Sequence, residues 1–209
     1  LEARAVGVHV PFAPVLDVNN NPDNPIINIR SFGEDPNAVA DLGVALIRGL
    51  RDYGGFATGK HFPGHGDTGT DSHLDMPVIQ VGRERLDAIE LVPFKAAIEA
   101  GMQGIMTAHI AVPEISGETI PATVSHKVLT GLLRADLGFD GIVFTDAMDM
   151  AAVNRLYPGG EAAVRALMAG ADVILMPRDV KQAIDAIIEA LDEGRLTEPR
   201  IDESVGRLL

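Results

Sequence analysis

The sequence predicts an α/β protein of the (β/α)8 TIM-type barrel class, of which this chain holds the last five βα units. Three observations lead there. Short apolar runs alternate with amphipathic stretches five times over, the rhythm of parallel βαβ units. The runs are apolar throughout rather than alternating with polar residues, as expected for strands buried on both faces of a parallel sheet. Nearly every run ends, on its carboxyl side, in a residue able to do chemistry: Asp17, Lys60-His61, His109, Asp146 and Arg178. In a barrel all strand ends open onto one face, whereas an open doubly wound sheet concentrates its site at one switch point. No GxGxxG follows the first run, so a dinucleotide-binding sheet has no support. A barrel needs eight strands over roughly 250 residues. About three βα units, on the order of 100 residues, are therefore expected ahead of the first run. Residues 1–209 are read as a single catalytic barrel domain, with no linker dividing them.

The elements follow in order. The first run is Gly7–Val18, and His9 within it reads as a core histidine. A helix is predicted from Pro36 to Tyr53, opened by Asp35 and closed by Gly54-Gly55. Gly55–Phe62 is the second run, followed by a Gly-, Pro- and Asp-rich loop from Pro63 to Val81. A helix over Arg83–Ala100 is stopped by Gly101, and Gly104–Ile110 forms the third run. The next helix starts at Ser125, its expected N-cap, and runs to Leu137 before Gly138. Gly141–Met148 is the fourth run, Gly160–Ala169 a helix and Asp172–Pro177 the fifth run. Helices at Val180–Leu191 and Pro199–Leu209 complete the pattern.

Composition narrows the function classes. The chain carries 17 basic and 30 acidic residues, a net charge of −13. Such a chain repels phosphate backbones and anionic membrane surfaces, so nucleic acid is not an expected partner. With no cysteine, disulfides, thiolate catalysis and Cys-ligated zinc are excluded. No apolar run approaches the ~20 residues of a membrane span. Composition does not fix the compartment; the cytoplasm is favoured over export.

The densest chemistry lies in Lys60–His73, KHFPGHGDTGTDSH, with three histidines, two aspartates and a lysine among glycines. Lys60 and His61, at the second strand's end, can donate hydrogen bonds to a polyhydroxy ligand. Asp71 and His73 are two apart. In a turn, a carboxylate can accept a hydrogen bond from the imidazole and raise its basicity, as a general acid/base requires. The same loop could instead hold a metal through His65, Asp67, Asp71 and His73, or be a solvated turn. The second site is FTDAMDM, Phe144–Met150. Asp146 ends an otherwise apolar strand, where packing does not explain a carboxylate; its bland alternative is a cap. Asp149, past the strand, reads as a cap. Asp146 and His73 together fit a double displacement at an anomeric carbon, with histidine replacing one of the usual two carboxyl groups.

KHFPGHG, TDSH and GFDGIVFTDAMDM, together with FAPVLDVN (Phe12–Asn19) and RSFGEDP (Arg30–Pro36), resemble glycoside hydrolase family 3, within it the bacterial β-N-acetylglucosaminidase branch. The resemblance runs in the same order over essentially the whole chain. It implies Asp146 as nucleophile, His73 as general acid/base with Asp71 as dyad partner, and Lys60, His61 and Arg30 as sugar contacts. Asp17 falls in a matching motif, where it would orient Arg30 or Lys60, and His109 would form a wall of the site. The implied activity is retaining hydrolysis of terminal β-linked N-acetylglucosamine from peptidoglycan or chitin fragments, with a carbohydrate partner and no metal or cofactor. The alternatives are a phosphorylase using the same site, a β-glucosidase or β-xylosidase, an inactive sugar-binding fragment and a metal-dependent hydrolase.

Overall fold

A computed structural model describes residues 2–69 and 76–209. Three regular strands, β1 (Thr58–Phe62), β2 (Gly104–Thr107) and β3 (Ile142–Phe144), form a parallel sheet in chain order. The first and fifth runs extend it at either side through single parallel bridges, Val15 to Lys60 and Phe144 to Val173. Lys60 N donates to Pro14 O (3.0 Å) and Thr145 N to Val173 O (3.0 Å). The five predicted runs thus lie side by side in sequence order, without the reversal of a doubly wound sheet. This is the strand order of a TIM-type arc.

Both faces of the sheet are apolar, as the uninterrupted runs predict. Along β2 and β3 successive side chains alternate. Ile105 and Val143 enter the main core beneath the helices. Met106, Ile142 and Phe144 enter a second cluster with Phe12, Phe56, Val173 and Leu175. There Phe144 meets Phe12 edge-on at 5.5 Å and Phe56 at 6.3 Å.

Helices follow the runs. Helix α1 (Pro36–Asp52) begins at Asp35, whose carboxylate accepts from Asn37 N (2.8 Å) and Ala38 N (3.3 Å). The predicted helix over Arg83–Ala100 is two: α2 (Arg83–Ala88) and α3 (Val92–Glu99). Pro93 explains the break, since a proline lacks the N–H and clashes with the carbonyl four residues back; it sits instead in the first turn of α3. Helix α4 (Lys127–Asp136) starts one residue after His126 with no side-chain cap, so Ser125 does not play the expected part. It is wound wider than an α-helix, ending on a five-residue bond from Leu137 N to Leu132 O. Helices α5 (Glu161–Ala169), α6 (Val180–Asp192) and α7 (Glu198–Leu208) agree with prediction to within a residue. His9 is exposed rather than core, because only its carbonyl is tied to the sheet, through Phe56 N.

A buried ionic clamp holds α4 and α7 to the sheet's lower rim. Asp172 accepts from Arg134 Nη2 (2.6 Å) and Val143 N (2.9 Å) on one oxygen. Its other oxygen accepts from Ser204 Oγ (2.7 Å) and Arg207 Nη1 (3.2 Å). Arg200 lies 3.5 Å from the same carboxylate and donates to Ala171 O and Leu167 O. None of the described helices is long and apolar enough to cross a membrane.

Candidate active site

The strand ends converge as the sequence predicts. Asp17 is fully buried at the end of the first run. Its Oδ1 accepts from the backbone N–H of His61 (3.1 Å) and of His65 (2.7 Å), and its Oδ2 lies 2.7 Å from His61 Nδ1. Arg30 Nη2 stands 3.4 Å from His61 Nε2. A guanidinium only donates, so Nε2 is the acceptor and the proton of neutral His61 sits on Nδ1, donated to Asp17. Asp17 thus orients His61 and the His65 peptide, not Arg30 or Lys60 as expected. Burial would raise its carboxyl pKa, but the facing His61 and the His65 N–H outweigh this and hold it below the ordinary value.

Lys60, at the centre of β1, is half-buried. Burial pushes its ammonium below the ordinary value and Arg30 adds to this, against the pull of Asp146 and Asp17. The lysine therefore sits in the field of Asp146. The Lys60–His61 and Phe62–Pro63 peptides are cis.

Asp146 lies two residues beyond β3 and is partly exposed. Its Oδ1 accepts from Ala147 N (2.8 Å), while Oδ2 makes no hydrogen bond among the described residues. Behind it stands His109. This residue, expected as a wall facing sugar, is fully buried with both ring nitrogens engaged. Nε2 donates to Ala147 O (2.9 Å) and Nδ1 is 2.8 Å from the Thr123 hydroxyl. His109 therefore grips the far side of the peptide that steadies Asp146 and has no ring nitrogen left for a ligand. Asp149 is exposed and caps no helix among the described residues; the turn after it starts at Met150 with no side-chain cap.

Burial drives the His109 imidazole below its ordinary value, more than the Asp146 charge and the Ala147 carbonyl raise it. His65 shifts the same way, first through burial. The unfolded chain therefore binds more protons below about pH 6.5, and stability there falls as pH drops. Thermal melts between pH 7.5 and 5 should show this loss, with a shallower slope in His109→Gln.

The loop after β1 is pinned by residues the sequence reading missed. Asn24, buried, donates to His65 O (2.8 Å), Gly66 O (2.9 Å) and Thr68 Oγ1 (3.2 Å). It also accepts from Ile26 N and Ile27 N, just ahead of Arg30. Gly66 lies so close to Val18 that a Cβ would stand 1.7 Å from its carbonyl oxygen. Arg85 ties Asp67 (2.9 Å) to buried Glu90 (3.0 Å), which also accepts from Asn20. Asn24→Ala should cost about 2–3 kcal/mol, read by urea unfolding, because it strands several buried partners. Asp71 and His73 lie outside the described residues. Of the other two ligands considered for a metal, Asp67 is paired with Arg85 and His65 Nδ1 lies 2.8 Å from Thr68 Oγ1.

Known proteins resemble this chain over nearly its whole length. The β-hexosaminidase A of Pseudoalteromonas piscicida is 37% identical over 227 residues, covering 99% of this chain and 38% of that protein. The glycoside hydrolase family 3 β-N-acetylglucosaminidase of Paenibacillus sp. str. FPU-7 superposes with a TM-score of 0.97 at 51% identity, over 99% of this chain and 40% of that one. The β-glucoside phosphorylase BglX superposes with a TM-score of 0.95 at 33% identity, over 99% and 39%. The chain thus spans about two fifths of each of these proteins. The profile of the glycosyl hydrolase family 3 N terminal domain matches residues 1–209, and the chain belongs to that family.

Proposed function

We propose that this chain carries the catalytic part of a retaining glycosidase that releases terminal β-linked N-acetylglucosamine, as in peptidoglycan or chitin fragments. The observation that carries the reading is Asp146: a partly exposed carboxylate at a strand end, with one oxygen held by Ala147 N–H and the other without a hydrogen bond among the described residues. In the first step Oδ2 bonds to the anomeric carbon as the bond to the leaving oxygen breaks, and that oxygen takes a proton from His73. In the second, water gives its proton to His73 and displaces Asp146. Asp71 is assigned as the partner of His73 in this proton transfer. Lys60, Arg30 and the Asp17-oriented His61 hold sugar hydroxyls on the β1 side.

Two relatives support the sugar assigned here, being named as a β-hexosaminidase and a β-N-acetylglucosaminidase. A second reading, phosphorolysis with the same site, is favoured by the likeness to a β-glucoside phosphorylase. A neutral histidine does not repel phosphate as a carboxylate would. The test is release of nitrophenol by the intact protein from its N-acetyl-β-glucosaminide beside its β-glucoside, with and without inorganic phosphate. Preference for the N-acetyl sugar without phosphate dependence is the expected result. Preference for the glucoside removes the sugar assignment, and acceleration by phosphate with formation of a sugar 1-phosphate establishes the second reading.

A further inference from the structure

We infer that Glu90, acting through Arg85 and Asp67, is a positioning residue for proton transfer to the leaving group; this rests on the glycosidase reading above, with His73 as the acid. Glu90 lies in the break between α2 and α3, just ahead of Pro93. It is 1% exposed there, and a glutamate is seldom buried so deeply unless it is paired. Three stretches of chain meet on it. Its Oε1 accepts from Asn20 Nδ2 (3.2 Å), shortly after the Asp17 that orients His61, and from Arg85 Nη2 (3.0 Å). The same Nη2 donates to Asp67 Oδ2 (2.9 Å), on the loop leaving β1. Gly64 of that loop, at φ +127°, passes so close that a Cβ would stand 2.9 Å from the Cβ of Glu90.

Two bonds left unmade show that the Glu90–Arg85 pair is not arranged for its own stability. Glu90 Oε2 and Arg85 Nε are both buried and without a hydrogen-bond partner. One is an acceptor, the other a donor, and they belong to the same ion pair. Set side by side, guanidinium and carboxylate would form a two-bond fork, the strong geometry for these groups, and satisfy both atoms. Arg85 instead places one nitrogen between two carboxylates. Buried polar atoms without partners cost stability, so such a pair calls for a reason. The observed geometry gives up the fork and keeps Asp67.

What Asp67 offers is its place in the sequence. It stands on the loop that leads to Asp71 and His73, the pair assigned to proton transfer. Asn24 holds the backbone of that loop from the inner side, at His65 and Gly66. The Glu90–Arg85 pair holds its Asp67 side chain from the outer helices. Together they fix the course on which the chain enters residues 70–73. A small displacement of a catalytic group lowers its rate steeply. Here the loss should fall on protonation and not on attack, because Asp146 is held separately, by Ala147 N.

The experiment measures kcat/KM of the intact protein on two aryl N-acetyl-β-glucosaminides. A 4-methoxyphenyl leaving group needs a proton as it departs; a 2,4-dinitrophenyl group does not. In Glu90→Gln, and equally in Asp67→Asn, the first substrate should slow about thirtyfold and the second less than about threefold. The double variant should lose no more than either single one, because both act through the same arginine. His73→Ala is the reference and should show the same selective loss, only larger. With His73→Ala selective, equal loss on both substrates or no loss, in either variant, overturns the proposal alone. A His73→Ala that slows both substrates alike, or neither, removes the assigned acid and this proposal with it. Should Glu90→Gln not fold, Asp67→Asn and Arg85→Met, at the more exposed end of the network, decide by the same criterion.

Discussion

Asp146→Asn is expected to lower kcat on an aryl N-acetyl-β-glucosaminide by about a thousandfold or more, a barrier increase of roughly 4 kcal/mol. An amide oxygen is too weak a nucleophile to form the glycosyl ester. Folding should be untouched: the carboxylate is partly exposed, and its one hydrogen bond, from Ala147 N, is one that an asparagine side chain also accepts. Steady-state rates beside thermal melts check both halves. Asp146→Gly with added azide tests the two-step route. Azide should occupy the vacated side of the sugar and give a glycosyl azide of inverted anomeric configuration. A variant that keeps the parent's rate, or an azide product of retained configuration, would remove Asp146 from the nucleophile's role.

Asp172→Ala is expected to be the most damaging change to stability, about 3–5 kcal/mol, because it leaves buried positive charge without its partner. Asp172 is the shared acceptor of Arg134, Ser204 and Arg207 and of the Val143 peptide. Burial already depresses the Arg134 guanidinium; Asp172 opposes this and Arg207 adds to it. Without the carboxylate, the guanidiniums repel one another and α4 and α7 lose their common anchor. The melting point should drop on the order of 10 °C. Arg48→Ala, an exposed arginine on α1, serves as the control and should change stability by less than about 0.5 kcal/mol. A small loss in Asp172→Ala would mean that the clamp is matched by apolar packing alone.

The order of elements was legible because burial on both faces leaves each strand a continuous apolar stretch between glycines. Phe144 and Val143 point to opposite sides, and both sides are apolar. Boundaries were less legible where one residue overrides the pattern, as Pro93 does in splitting the helix over 83–100. The fifth run reads as a strand but contributes only Val173 to a bridge. Strand-end residues were legible for the same reason as the strands, since Asp17, Lys60, His61 and Asp146 interrupt apolar stretches. What the sequence could not place is who binds whom. Asn24 works through backbone groups about forty residues away, and such side-chain-to-backbone bonds have no period to read. His109 was found by position but misplaced in orientation, because only packing decides that its ring points behind the Asp146 loop.

The Asn24 junction bears on how such proteins can be recombined. It joins the segment ahead of Arg30 to the loop leaving β1 through bonds that depend on the exact backbone course of both. A chimera whose crossover falls between residues 31 and 60 would inherit these two arms from different parents, with Gly66 packed against a foreign Val18 carbonyl. Crossovers after residue 76 would carry the junction across whole. Libraries that vary sugar preference should therefore treat residues 17–30 and 60–69 as one heritable block.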